Sequence, residues 1–93
     1  MENFRAERGK ILDRMDELFA EIDKLKENGI ENIDKEAFFK CRREITEGFF
    51  AIWKIEIREM EQNGANIEGI EQSKEKYRWY REEYEKKKKN GLL

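Results

Sequence analysis

The sequence predicts an all-α protein, a three-helix antiparallel bundle with a long central helix. Three observations predict it. Charged residues make up 45% of the 93 residues and Pro is absent, so helix-forming Glu and Lys are plentiful and nothing inside the chain breaks a helix. Apolar residues recur at three- and four-residue spacing in three separate stretches. Asn-Gly occurs at 28–29, 63–64 and 90–91, each time just where a periodic stretch stops and a helix would close.

The chain is organised around residues 38–60, FFKCRREITEGFFAIWKIEIREM, which hold four of the six Phe, one of the two Trp, the only Cys and four Ile. On a helix over 34–62, Phe38, Cys41, Ile45, Phe49 and Ile52 fall on one stripe, and Phe39, Phe50, Trp53, Ile57 and Met60 on an adjoining one. Together they span roughly 220°, wider than the ~100° stripe of a surface helix, so this helix needs neighbours on two sides. The segment IWKIEI also alternates like a strand, but no second strand-like run offers it a partner. Asp34 can cap the helix, Ile33 and Phe38 have the spacing of a hydrophobic staple, and Asn63-Gly64 closes it.

Helix 1 is expected over about 3–27. Phe4, Ile11, Met15, Leu18, Ile22 and Leu25 form its seam, with Leu12 and Phe19 widening it. Arg8 is a misplaced charge on that seam. Gly29 is expected to close the helix in a left-handed conformation, with Ile30 packing back on Leu25. Because the 28–33 connection is short, helices 1 and 2 are antiparallel neighbours, and Arg8 comes level with residues near 54. An Arg8–Glu56 contact then resolves two misplaced charges. Arg42 is a third charge inside the apolar arc. It either snorkels to the edge or faces a partner.

Helix 3 is expected over about 67–89, with Asn66 as a cap and Ile67, Ile70, Tyr77, Tyr80 and Tyr84 inward. Three Tyr in place of Leu make this the thinnest and least firmly docked seam. Lys86 to Lys89 suit the negative end of the helix dipole. Glu82–Lys86, Glu83–Lys87 and Glu85–Lys89 have i,i+4 spacing.

These features bound the function. The chain, 1–93, is one domain. It has no His, which removes the commonest general base and the usual zinc ligand. Cys41 and Ser73 therefore have no His to activate them, and the Gly residues do not form a phosphate-cradling loop. Glu44-x-x-Glu47 and Glu56-x-x-Glu59 have the one-face spacing of helical magnesium sites, but Glu44 and Glu47 fall on the polar side of helix 2. No catalytic residue, metal or cofactor is expected, and the protein is read as a non-enzyme. A net charge of −2 favours neither a strongly basic nucleic-acid binder nor an acidic mimic of one. With no hydrophobic signal region in MENFRAERGK and no run of ~20 apolar residues, the expectation is a soluble cytoplasmic protein without membrane contact. The single Cys41 is expected to be a buried free thiol.

What remains is surface. Trp79 falls on a polar side of helix 3, where a Trp is a candidate anchor for a partner protein, with Arg78 and Tyr80 beside it. Phe39, Phe50, Trp53 and Ile57 are too many to be covered by the thin seam of helix 3, and surplus apolar surface of that kind marks an interface. Phe39, Phe50, Trp53 and Arg42 are thus expected to contact another protein or, in a homodimer, a second copy. The expected function is a small protein–protein interaction protein, an adaptor or a steric inhibitor. Phages and mobile elements use such charge-dense chains as antagonists, anti-CRISPR proteins among them. The alternative is nucleic-acid association through the basic–aromatic helix 3, with Arg78, Arg81, Lys86, Lys87, Lys88 and Lys89 in contact.

Overall fold

The computed structural model describes residues 3–91. Helix α1 spans Phe4–Lys26, α2 Lys35–Gln62 and α3 Ile67–Lys89, with one 3-10 turn, Ile30–Asn32, between α1 and α2; no strand occurs among the described residues. Asp34 and Asn66 cap their helices as expected, accepting hydrogen bonds from the backbone N–H of Ala37 at 3.1 Å and of Glu68 at 2.8 Å. Asn3 does the same for α1, accepting from Ala6 N–H at 3.0 Å. At the end of α2 the Ala65 N–H donates back to the Met60 carbonyl at 3.0 Å, which closes the helix at Asn63-Gly64.

The end of α1 differs from expectation. Gly29 has φ 89° and ψ 150°, an extended mirror-image conformation rather than a left-handed helical one, and one that only Gly adopts at little cost. The chain therefore turns outward into the 3-10 turn. Ile30 is 77% exposed, so the expected packing of Ile30 on Leu25 does not form.

α2 packs against both α1 and α3 and runs antiparallel to each. Its contact with α1 runs along Cys41, Ile45, Gly48, Ile52 and Glu59. Its contact with α3 runs along Arg43, Phe50, Trp53 and Ile57. At ~100° per residue these two lines point in nearly opposite directions. The three helices therefore lie side by side, in a single layer measuring 50 × 30 × 15 Å.

The α1 side holds an aliphatic core of Met15, Leu18, Ile22, Cys41 and Ile45, with Ile11, Phe38 and Ile52 packed against it. Gly48 sits at the closest approach. A Cβ there would lie 3.0 Å from Met15 Sδ, so the absence of a side chain is what lets α1 settle this near. Phe49, expected on this line, is displaced by Gly48 and turned out, 57% exposed. Ile55, assigned to neither stripe from the sequence, is buried.

The α3 side holds an aromatic core. Phe50 meets the Tyr77 ring edge-on at 5.7 Å and the Tyr84 ring at 5.6 Å, while Ile57 and Ile70 are buried beside them. The Trp53 indole N–H donates to Ser73 Oγ at 2.9 Å. Arg81 lies over both the Phe50 and Tyr84 rings, at 5.3 and 5.6 Å. The inward line of α3 is thus Ile70, Ser73, Tyr77, Arg81 and Tyr84. Ile67 and Tyr80, expected inward, are 78% and 51% exposed. Ile67 opens the helix beyond the edge of α2, and Tyr80 falls to one side of the inward line, leaning on the Trp53 ring.

The expected Arg8–Glu56 contact is also corrected. Arg8 pairs with Glu59, and Glu7 with Arg58 at 3.3 Å beside it. Glu59 follows Ile52 by seven residues on the α1-facing line, whereas Glu56 is exposed. These half-exposed pairs orient the helix ends and each contribute no more than ~1 kcal/mol.

Two glycine substitutions test this packing by chemical denaturation. Gly48→Leu is expected to cost about 1–3 kcal/mol by overpacking against Met15. Gly9→Ala, inside α1 with nothing within 4 Å of the added carbon, is expected to stabilise by about 0.5–1 kcal/mol.

Candidate functional site

A layer one helix thick leaves two broad faces open, and ion pairs show which is which. Along the α1–α2 seam, Arg14 Nη2 meets Glu44 at 2.8 Å. Along the α2–α3 seam, Arg81 and Lys88 reach Glu47 at 4.0 and 3.7 Å, and Lys74 reaches Glu61 at 3.6 Å. By helical spacing these pairs share one side of the layer. Between α2 and α3 that side forms a groove whose walls carry Lys54, Arg58, Lys74, Arg78 and Arg81 against Glu61 and Glu82.

The opposite side carries exposed apolar side chains. Leu12 and Phe19 of α1, Phe49 of α2 and Tyr80 of α3 all stand open there. Trp53 and Tyr80 are in ring contact at 5.9 Å across the seam, and Trp79 stands edge-on to Tyr80 at 4.9 Å on the outer edge of α3. Trp79 is 58% exposed and lines an open recess with Gln72, Glu75, Lys76 and Tyr80. Phe49 is one turn from Trp53 and, through the Met15–Gly48 contact, level with α1 near Leu12. Apolar surface therefore runs across the layer from Leu12 of α1 through Phe49 and Trp53 to the edge of α3.

The residues singled out from the sequence divide among these places. Trp79 and Tyr80 stand on the apolar side, and Arg78 on the charged groove. Phe39 is exposed at the start of α2, edge-on to Phe38 at 5.6 Å. Arg42 is exposed, with its guanidinium 5.8 Å from the Phe38 ring centre. Trp53 is half-buried under Tyr80. Phe50 is corrected from surface to core, because the α3-facing line passes through it. On this face, Phe49, Leu12 and Phe19 are the exposed apolar residues the sequence reading missed. The signal that could have found them is Gly48, the smallest residue on the Cys41–Ile45–Ile52 line and so the natural point of helix contact.

The basic end of α3 is partly neutralised. Arg81 lies between Glu47 and Glu85, Lys88 meets Glu47, and Lys86 pairs with Glu83 at 3.5 Å rather than with Glu82. Lys87 and Lys89 are exposed. Glu44 turns to Arg14 of α1 and Glu47 to Arg81 and Lys88 of α3, and no group of three or more acidic, Cys or His side chains that could hold a metal occurs among the described residues. No helix among the described residues is long and apolar enough to cross a membrane. Burial pushes the Cys41 thiol above its ordinary range, with the nearby Glu21 and Glu44 carboxylates adding to the effect.

Comparisons with protein families, with curated proteins and with solved structures found no match.

Tyr84 gives a pH test of the α2–α3 seam. Its hydroxyl donates to the Arg43 carbonyl at 3.3 Å, and burial first, then the Glu47 carboxylate, push the phenol up to about 12. The folded value lies above the ordinary value of 10, so the linked stability is full below pH 10 and is lost as pH rises from 10 to about 12. Tyr84→Phe is expected to cost about 1 kcal/mol near neutral pH and to remove a phenol ionising near pH 12 from the ultraviolet titration.

Proposed function

We propose that this is a non-catalytic protein–protein interaction protein, an adaptor or a steric inhibitor that occludes a partner's working surface. The observation that carries the reading is the aromatic step Trp53–Tyr80–Trp79, exposed at Tyr80 and Trp79, on an otherwise charge-dense molecule. Trp and Tyr bury much area at small entropic cost and dominate interface energetics. Trp79 is the anchor, with Tyr80 and Arg78 on either side of it and Phe39 and Arg42 further along the layer. Gln72, Glu75 and Lys76 rim its recess, a polar border around an aromatic anchor of the kind protein interfaces have. Such a protein acts by occupying space. Phage and mobile-element antagonists, anti-CRISPR proteins among them, are proteins of this working type.

One observation favours a second reading. Five cations against two acids line the α2–α3 groove on the opposite side, a balance that suits a nucleic-acid backbone. Arg78 and Arg81 belong to this groove, and Lys86 to Lys89 extend from it along α3. Several of these cations already hold carboxylates, which weakens the field they present.

Capture from nuclease-treated lysate of the source cell separates the two. Wild type is expected to retain a protein partner, and Trp79→Ala to weaken retention by roughly tenfold or more while leaving helicity intact. Retention that requires intact nucleic acid, falls steeply with salt and ignores Trp79→Ala would replace the first reading with the second.

A further inference from the structure

The stripe that α2 presents to the apolar side reads the same in both directions, except that its charges change sign. Phe49 stands at the middle. Arg42 and Glu56 are each seven residues away, and Phe38 and Met60 each eleven. Seven and eleven residues both return a helix to within about 20° of the starting direction, so these five side chains share one line. Arg42 and Glu56 are both exposed, and neither has an ion-pair partner among the described residues. α1 repeats the pattern. Met15 on Gly48 sets Arg14 level with Phe49, and Arg5 and Asp23, both exposed, lie nine residues to either side of Arg14. They fall on the line of Leu12, seven residues before it and eleven after.

A surface that places opposite charges at equal distances from one apolar centre is complementary to itself after a half-turn. We propose that the apolar face is covered by a second copy of this chain, in an antiparallel dimer whose twofold axis passes beside Phe49. This rests on reading that face as an interaction surface, and it names the occupant. In the dimer, Phe49 meets its own copy and Arg42 meets Glu56 of the partner subunit, twice by symmetry. Phe38 meets Met60 of the partner subunit, and Arg5 meets Asp23 of the partner subunit. The interface is isologous, as a closed twofold contact requires. The face, up to 50 Å by 30 Å, is larger than the roughly 800 Å² per subunit of a standard interface. Trp79, on the outer edge of α3, stays outside the centre of this contact, so the dimer displays two such edges.

Sedimentation equilibrium tests the dimer. Wild type is expected at twice the 11.4 kDa chain mass at micromolar concentration. Arg42→Glu or Glu56→Arg alone opposes like charges at two places and is expected to weaken the dimer roughly a hundredfold or more. The double variant Arg42→Glu/Glu56→Arg restores the pairing with signs exchanged and is expected to restore the dimer. Both side chains are exposed, and circular dichroism checks that each variant keeps its helices. A wild type that stays monomeric up to about 100 µM, a dimer that neither single reversal weakens, or a double variant that is not rescued would each overturn the proposal. None of these outcomes touches the Trp79 capture assay, which needs no second copy, so failure here and failure of the interaction reading are told apart.

Discussion

The rest of the structure depends on one constraint: α2 buries two lines of side chains that point in opposite directions. One line is aliphatic and centred on Gly48. The other is aromatic and centred on Phe50. A helix with adjoining apolar stripes draws its neighbours together until they touch each other. A helix with opposed stripes holds them apart. The flat layer follows directly, with α1 and α3 each docked on α2. Two open faces follow from the layer, and the functional reading follows from the faces.

The two seams are made differently. Against α1, the absence of a side chain at Gly48 lets Met15 sit close, and the contact is dry and aliphatic. Against α3, Tyr replaces Leu and the seam recovers its polar atoms one by one. Trp53 N–H goes to Ser73, Tyr84 O–H goes to the Arg43 carbonyl, and Arg81 spans two rings and two carboxylates. Buried Tyr and Trp are tolerated where their polar tips find partners. α3 is therefore held by geometry as much as by apolar area. That is consistent with a helix whose outer edge carries an exposed Trp.

Much of this was legible in the sequence. Helix number, order and ends follow from periodicity, from Asp34 and Asn66 as caps and from the Asn-Gly pairs, and the structure agrees within a residue or so. The long α2 with neighbours on two sides was legible from its wide apolar arc. The angle between the two stripes was not. Projected on a wheel, Phe49 belongs as naturally with Cys41 and Ile45 as Gly48 does, and only contact with α1 decides between them. The same ambiguity moved the Arg8 partner from Glu56 to Glu59 and put Phe50 in the core and Phe49 outside. For the candidate site, Trp79 was legible as an apolar residue among charges. The wider face was not, because it is made of residues from three helices whose shared direction exists only once the layer forms. Ile30 was missed for a local reason, since Gly29 takes an extended rather than a helical mirror-image conformation.

The layer itself is the central claim, and a distance across it is the most direct test. Spin labels at Asp13 and Glu82, both exposed, report on α1 and α3 when the natural Cys41 is replaced by Ser and the labelled chains are diluted with unlabelled protein. With α2 between them, pulsed dipolar spectroscopy should give a separation near the 30 Å width of the layer or beyond it. A triangular bundle brings α1 and α3 to the 8–10 Å interaxial distance of directly packed helices, and would give roughly 20 Å or less between the labels. That shorter distance would contradict the opposed stripes of α2, and with them the open faces on which the functional reading stands.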